Sequence, residues 1–147
     1  MSLWYEGLEL GVPVIDDQHR QFFERMEDLV DACAQGLTSG TLNDMKDFLH
    51  EYARSHFRIE EELMLRYGYP GYPQHKEMHG EFMEKVQSLE FVTLRAGRES
   101  ETAQMIQQML VKWFEGHILT IDRNAMDFLI PHLPKSGMLA CGEDARP

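Results

Sequence analysis

Cysteine is nearly absent: Cys33 and Cys141 are the only two in 147 residues. They stand far apart and form neither a CxxC pair nor a zinc-ribbon spacing, so thiolate metal sites and thiol redox motifs drop out. Cys33 falls on an inward-looking position of a predicted helix and reads as a buried inert thiol, whereas Cys141 sits in a polar tail and reads as exposed. Long apolar runs are also missing, and no segment is expected to cross a bilayer. The opening residues, Met1-Ser2-Leu3-Trp4-Tyr5-Glu6, have neither the basic nor the apolar region of a secretory signal, so the expected compartment is the cytoplasm. Positive charge is the third shortage. With 14 Lys and Arg against 25 Asp and Glu, the formal net charge is −11. That balance opposes nucleic acid and anionic membrane as partners and favours a soluble monomer.

What remains is an ordinary globular composition, 43% hydrophobic and 27% charged, long enough for one domain with a real core. Residues 1 to 15 read as an irregular arm, because Gly7, Gly11 and Pro13 break a helix. Its Trp4, Leu8, Leu10, Val12, Val14 and Ile15 are apolar, so it should lie on the domain. Asp16 or Asp17 would cap a first helix reaching Gln35, with His19, Phe22, Met26, Leu29, Val30 and Cys33 on one stripe. A second helix follows Gly40 with Met45, Leu49, Tyr52, His56, Glu60, Leu63 and Tyr67 inward, and the run Gly68 to Pro73 ends it. A third runs from about Gln74 to Arg95 with His75, His79, Phe82, Val86, Leu89 and Thr93 on one face. A fourth opens near Glu99 and carries Ala103, Ile106, Met109, Leu110, Trp113 and His117. The expected fold is all-α: an antiparallel up-down-up-down four-helix bundle with an N-terminal arm. Residues 1–130 would form the domain and 131–147 a mobile tail.

Five of the seven histidines therefore occupy positions where a plain bundle carries leucine. His56 with Glu60, and His75 with His79, are i,i+4 pairs, so each pair points the same way from its helix. Antiparallel neighbours bring the start of the first helix, the end of the second, the start of the third and the end of the fourth to one level. His19, His56, Glu60, His75, His79, His117 and Asp122 should all meet there. Asp122 is five residues beyond His117, about 140° around an ideal helix, so these two side chains are expected to diverge and reach different atoms of one cluster.

Seven buried ionisable groups at one level cost several kcal/mol each unless they are paired or bind metal. Five imidazoles and two carboxylates are too many for one ion. Two bridging carboxylates with the imidazoles divided three and two suit a pair of iron ions better than manganese or zinc. One ion would then keep an open coordination position. His50 and His132 match no pattern and read as surface residues. Glu61 and Glu62 read as a solvated face.

The segments Ile15-Asp16-Asp17-Gln18-His19, His56-Phe57-Arg58-Ile59-Glu60-Glu61, Tyr69-Pro70 followed by His75-x-x-x-His79, and His117-Ile118-Leu119-Thr120-Ile121-Asp122 together resemble the hemerythrins, in particular the bacterial ones, from Trp4 to about Leu129. The resemblance implies one iron on His75, His79 and His117 and another on His19 and His56. Glu60, Asp122 and an oxo or hydroxo group would bridge them, with dioxygen bound reversibly at the two-histidine iron. Phe22, Met78, Phe82, Trp113, Ile118 and Leu119 are the expected apolar lining. Acceptors behind the imidazoles are expected but not identifiable. The expectation is a non-enzymatic oxygen binder for carriage, storage or delivery, with an oxygen-using enzyme as an open partner. The alternatives on this scaffold are an oxygen, redox or nitric-oxide sensor and a di-iron oxidase or peroxidase. Oxygen-activating di-iron enzymes carry more carboxylates and fewer histidines than this chain.

Overall fold

The computed structural model describes residues 2–36, 39–88 and 99–134. Among them, four long helices form the bundle: α1 Pro13–Ala34, α2 Ser39–Tyr67, α3 Tyr72–Ser88 and α4 Glu99–His117. A π turn over Ile118–Asp122 follows α4 and leads into a short α5, Arg123–Leu129, and a last 3-10 turn, Ile130–His132. No strand occurs among the described residues, and no described helix is long and apolar enough to cross a membrane. Helix α1 packs on α2 and α4, and α2 packs on α3. Phe82 of α3 closes the ring of helices against Trp113 of α4, ring centres 4.9 Å apart.

The predicted stripes are the observed core. Phe22, Met26 and Leu29 of α1, Met45, Leu49 and Leu63 of α2, Phe82 and Val86 of α3, and Ala103, Ile106 and Leu110 of α4 are all buried. Phe23 and Phe114, outside the predicted stripes, are buried with them. The side chains of Val30 and Cys33, together with Leu89, Thr93, Cys141 and the tail from Lys135 onward, lie outside the described residues.

Besides α2, which starts at Ser39 and not after Gly40, three helix boundaries differ from expectation, and proline accounts for two. Pro13 and Pro73 lie in the first turns of α1 and α3 rather than before them. The first N–H groups of a helix have no partner inside it, so a missing one there costs nothing, and the fixed φ of proline suits the turn. Helix α1 thus starts four residues before Asp17. Asp16 does not cap it. Its carboxylate, 7% exposed, instead accepts the backbone N–H groups of Leu10 at 2.8 Å and Gly11 at 3.0 Å. That clamp pins the arm, whose Leu8, Leu10 and Val12 are buried and whose Trp4 packs beside Phe23 under the Arg20 guanidinium. The third difference is at the other end of the chain. Pro131 continues the last turn, and Leu133 belongs to the core.

Helix α2 ends as its sequence dictates. Gly68 takes a φ of +69°, a left-handed value that a side chain disfavours. Tyr69 N–H then donates to Met64 O at 2.9 Å and Gly68 N–H to Leu65 O at 3.4 Å. This is a Schellman ending, which reverses the chain within a few residues. The end of α2 and the start of α3 are thereby held at one level.

Candidate metal centre

Helix α1 contributes His19 from its second turn, α2 contributes His56 and Glu60 near its C-terminal end, α3 contributes His75 and His79 from its first two turns, and α4 ends on His117. Asp122 closes the π turn. Arg123 N–H donates to Ile118 O, five residues back, so this turn holds one residue more than an α turn. The extra residue cancels the divergence expected for a regular helix: His117 Nε2 and Asp122 Oδ1 lie 3.0 Å apart. All seven side chains are buried, none more than 4% exposed.

The two carboxylates divide the imidazoles between them. Glu60 Oε1 lies 3.0 Å from His79 Nε2 and 3.4 Å from His75 Nε2, while its Oε2 lies 3.1 Å from His56 Nε2 and 3.5 Å from His19 Nε2. Asp122 repeats the pattern. Its Oδ1 is 2.9 Å from His75 Nε2 as well as 3.0 Å from His117 Nε2, and its Oδ2 is 3.2 Å from His19 Nε2. Each carboxylate thus turns one oxygen to a group of three histidines and the other to a group of two. Two overlapping sets result, Glu60, His75, His79, His117 and Asp122 on one side and His19, His56, Glu60 and Asp122 on the other, with the donor atoms of each set within 4.8 Å of one another.

The chemistry of this donor set fits metal better than it fits internal pairing. His75 Nε2, His117 Nε2, Glu60 Oε2 and both Asp122 oxygens make no hydrogen bond despite their close neighbours. They crowd within a few ångströms of one another without hydrogen bonding, and a buried polar atom without a partner is costly. Charge tells the same story. Burial alone would lower the His19 and His75 imidazoles, but contacts with Asp122 and Glu60 outweigh it and hold both at about 9. Burial wins at His56, which is lowered. Burial also favours neutral carboxyls, yet the surrounding imidazoles hold Glu60 and Asp122 well below the usual range. Without metal the carboxylates are balanced by protonated histidines, and a cation bound there would replace those protons.

Aromatic rings wall the cluster. Tyr52 stacks on His56 with 19° between planes, Phe57 lies flat on His79 at 3.8 Å and 7°, and Trp113 stacks on His117 at 4.6 Å and 13°. Phe114 stands edge-on to His19 at 5.3 Å. Of the predicted lining, Phe22, Phe82 and Ile118 are fully buried, whereas Trp113, Leu119 and Met78 are partly exposed. Met78 lines a cleft of about 480 Å³ that reaches His75 between Tyr69, Gln74 and Ile121. His50 is half-buried and His132 exposed, and neither joins the cluster.

Two acceptors that the sequence did not reveal stand behind the imidazoles. Gln18 Oε1 is 2.7 Å from His56 Nδ1, and Glu61 Oε2 is 2.8 Å from His79 Nδ1. Tyr52 OH donates in turn to the backbone oxygen of Gln18. Glu61 is therefore not simply part of a solvated face. Each acceptor sits next to a clustered residue in sequence or one before it, and adjacency to the motif is the signal that could have found them.

Comparison with known families places this cluster in context. The family described as "Hemerythrin HHE cation binding domain" matches residues 10–129. The chain belongs to the hemerythrin family. Among its hemerythrin relatives is a bacteriohemerythrin of Stenotrophomonas maltophilia, 30% identical over 133 residues, which cover 90% of this chain and 84% of the relative. A bacteriohemerythrin of Clostridium acetobutylicum is 29% identical over 130 residues, 86% of this chain and all of the relative. The myohemerythrin of Sipunculus nudus is 31% identical over 120 residues, 82% of this chain and 87% of the relative. The matched span contains all seven clustered side chains.

Proposed function

We propose that this hemerythrin binds dioxygen reversibly at a pair of iron ions, for oxygen carriage, storage or delivery, and is not an enzyme. The observation that supports this most is the division of Glu60 and Asp122, each with one oxygen toward either histidine group. In this reading His75, His79 and His117 would hold one ion and His19 and His56 the other, and Glu60 and Asp122, which belong to both donor sets, would serve both. An iron pair held there would supply reversible two-electron chemistry toward dioxygen. The second group has two imidazoles where the first has three, and that shortfall would leave room for the gas.

The chain's own residues do three things. Gln18 and Glu61 accept from Nδ1 of His56 and His79, which fixes the tautomer that presents Nε2 to metal. The rings of Phe22, Phe82, Phe114 and Trp113, with Ile118, Leu119 and Met78, exclude water and anions while admitting an uncharged molecule. Rigid placement on four packed helices keeps the donors in position as the metal changes charge.

The reading is tested by reducing the iron-loaded protein without air, adding oxygen, and then removing it. Return of the starting absorption spectrum over repeated cycles is expected. Irreversible oxidation with rapid peroxide release would contradict carriage and favour an enzyme or a redox sensor.

A further inference from the structure

Two of the five clustered imidazoles are supported from behind, and the supports differ in charge. His56 Nδ1 meets a neutral amide oxygen, Gln18 Oε1, at 2.7 Å. His79 Nδ1 meets a carboxylate, Glu61 Oε2, at 2.8 Å. The Nδ1 atoms of His19, His75 and His117 have no hydrogen-bond partner. The Glu61 contact is well defined. Phe57 lies flat against the His79 ring and fixes its plane, and within that plane Nε2 faces Glu60 at 3.0 Å and Nδ1 faces Glu61. Two successive glutamates of α2 thus take opposite edges of one imidazole. Glu61 is 20% exposed, on the wall of a groove between α2 and α3 that Arg58, Lys76 and Met83 also line.

We propose that Glu61 is a positioning residue that makes the two metal positions unequal: it tightens the ion held by His75, His79 and His117 and lowers that ion's reduction potential, whereas the ion held by His19 and His56 has only the neutral Gln18 behind it. The proposal rests on the two-ion reading above. An imidazole bound through Nε2 keeps its proton on Nδ1 and donates it to the acceptor behind. A carboxylate draws that proton more strongly than an amide does, which makes Nε2 the better donor. Its negative charge, one ring away in a buried site, also favours the more highly charged metal. Gln18 fixes the orientation of His56 but adds no charge.

The test is release of ferrous iron from the loaded full-length chain to a chelator, with the reduction potential measured alongside. The wild type releases two ions in two phases, the slower belonging to the three-histidine position. Glu61→Gln, which keeps an acceptor of the same shape, speeds the slower phase about tenfold, leaves the faster phase unchanged and raises the potential of one ion only. Glu61→Asp recovers part of the loss. Gln18→Glu does the reverse, slowing the faster phase alone, and carries the test if the Glu61 variants fail to fold. A Glu61→Gln protein with both phases unchanged, or both accelerated alike, overturns the proposal, and so does a Gln18→Glu protein whose faster phase does not slow. A wild-type chain that takes up fewer than two ions sinks the two-ion reading itself.

Discussion

Phe114 has no exposed surface, and its ring meets Phe22 at 4.4 Å, His19 at 5.3 Å and His56 at 5.9 Å. Truncation to alanine removes a large ring from a packed interior and opens a cavity beside the two-histidine group. Phe114→Ala is expected to cost about 3–5 kcal/mol in the denaturant unfolding of the metal-free protein. His79→Ala acts through the metal instead. It is expected to lower iron content and to narrow the gap in melting temperature between loaded and metal-free protein, because metal binding and folding are linked. Full iron occupancy in that variant would count against His79 as a ligand. The two residues also differ in how legible they were. His79 declares itself through its i,i+4 partner His75. Phe114 competes with Trp113 for the same place on a 3.6-residue period, which accommodates both a third and a fourth residue. Sequence spacing favoured Trp113, but packing buries Phe114 more deeply and leaves Trp113 as an outer wall.

Among the elements, the N-terminal arm is tied to α1 by one side chain. Asp16 holds the N–H groups of Leu10 and Gly11, and hydrogen bonds to a charged group contribute about 1.5–3 kcal/mol. Asp16→Ala is expected to cost about that much in unfolding free energy and to shift the fluorescence of Trp4 toward that of a solvated indole. An unchanged emission would mean that apolar burial of Leu8, Leu10 and Val12 holds the arm unaided. The helices themselves were readable from their stripes, and the arm from its apolar content. The starts of α1 and α3 were not, because proline both breaks a helix interior and begins a helix, and only the packed chain decides which applies. The π turn was hidden for a related reason. A slip of one hydrogen bond has no compositional signature. Its nearest local mark is Thr120, whose hydroxyl donates to Gly116 O at 2.7 Å, a bond of the kind that bends helices.

For the molecule as a whole, protonation and metal compete for one buried centre. His19 and His75 stand at about 9 in the metal-free fold against an ordinary 6.5. A histidine raised by folding contributes stability that is complete below 6.5 and lost as pH rises through 9. The melting temperature of the metal-free protein is therefore expected to fall between pH 6.5 and 9.5. The loaded protein, whose imidazoles are already unprotonated, should show little change over that range. Iron uptake should release protons at pH 7 and tighten toward pH 9. Equal slopes with and without metal would contradict this exchange. The convergence of four helices on one end was legible because short connections enforce an antiparallel order, which brings His19, His56, His75 and His117 to one level without any knowledge of their contacts. The sharing of both carboxylates between a group of three imidazoles and a group of two was also expected; what lay beyond reach was which oxygen meets which imidazole, which depends on side-chain rotation and on the π turn. The most direct measurement is an air-free titration of the metal-free protein with ferrous iron, read as ions bound per chain. Saturation at two is the predicted result, and a folded protein that saturates at one would contradict it.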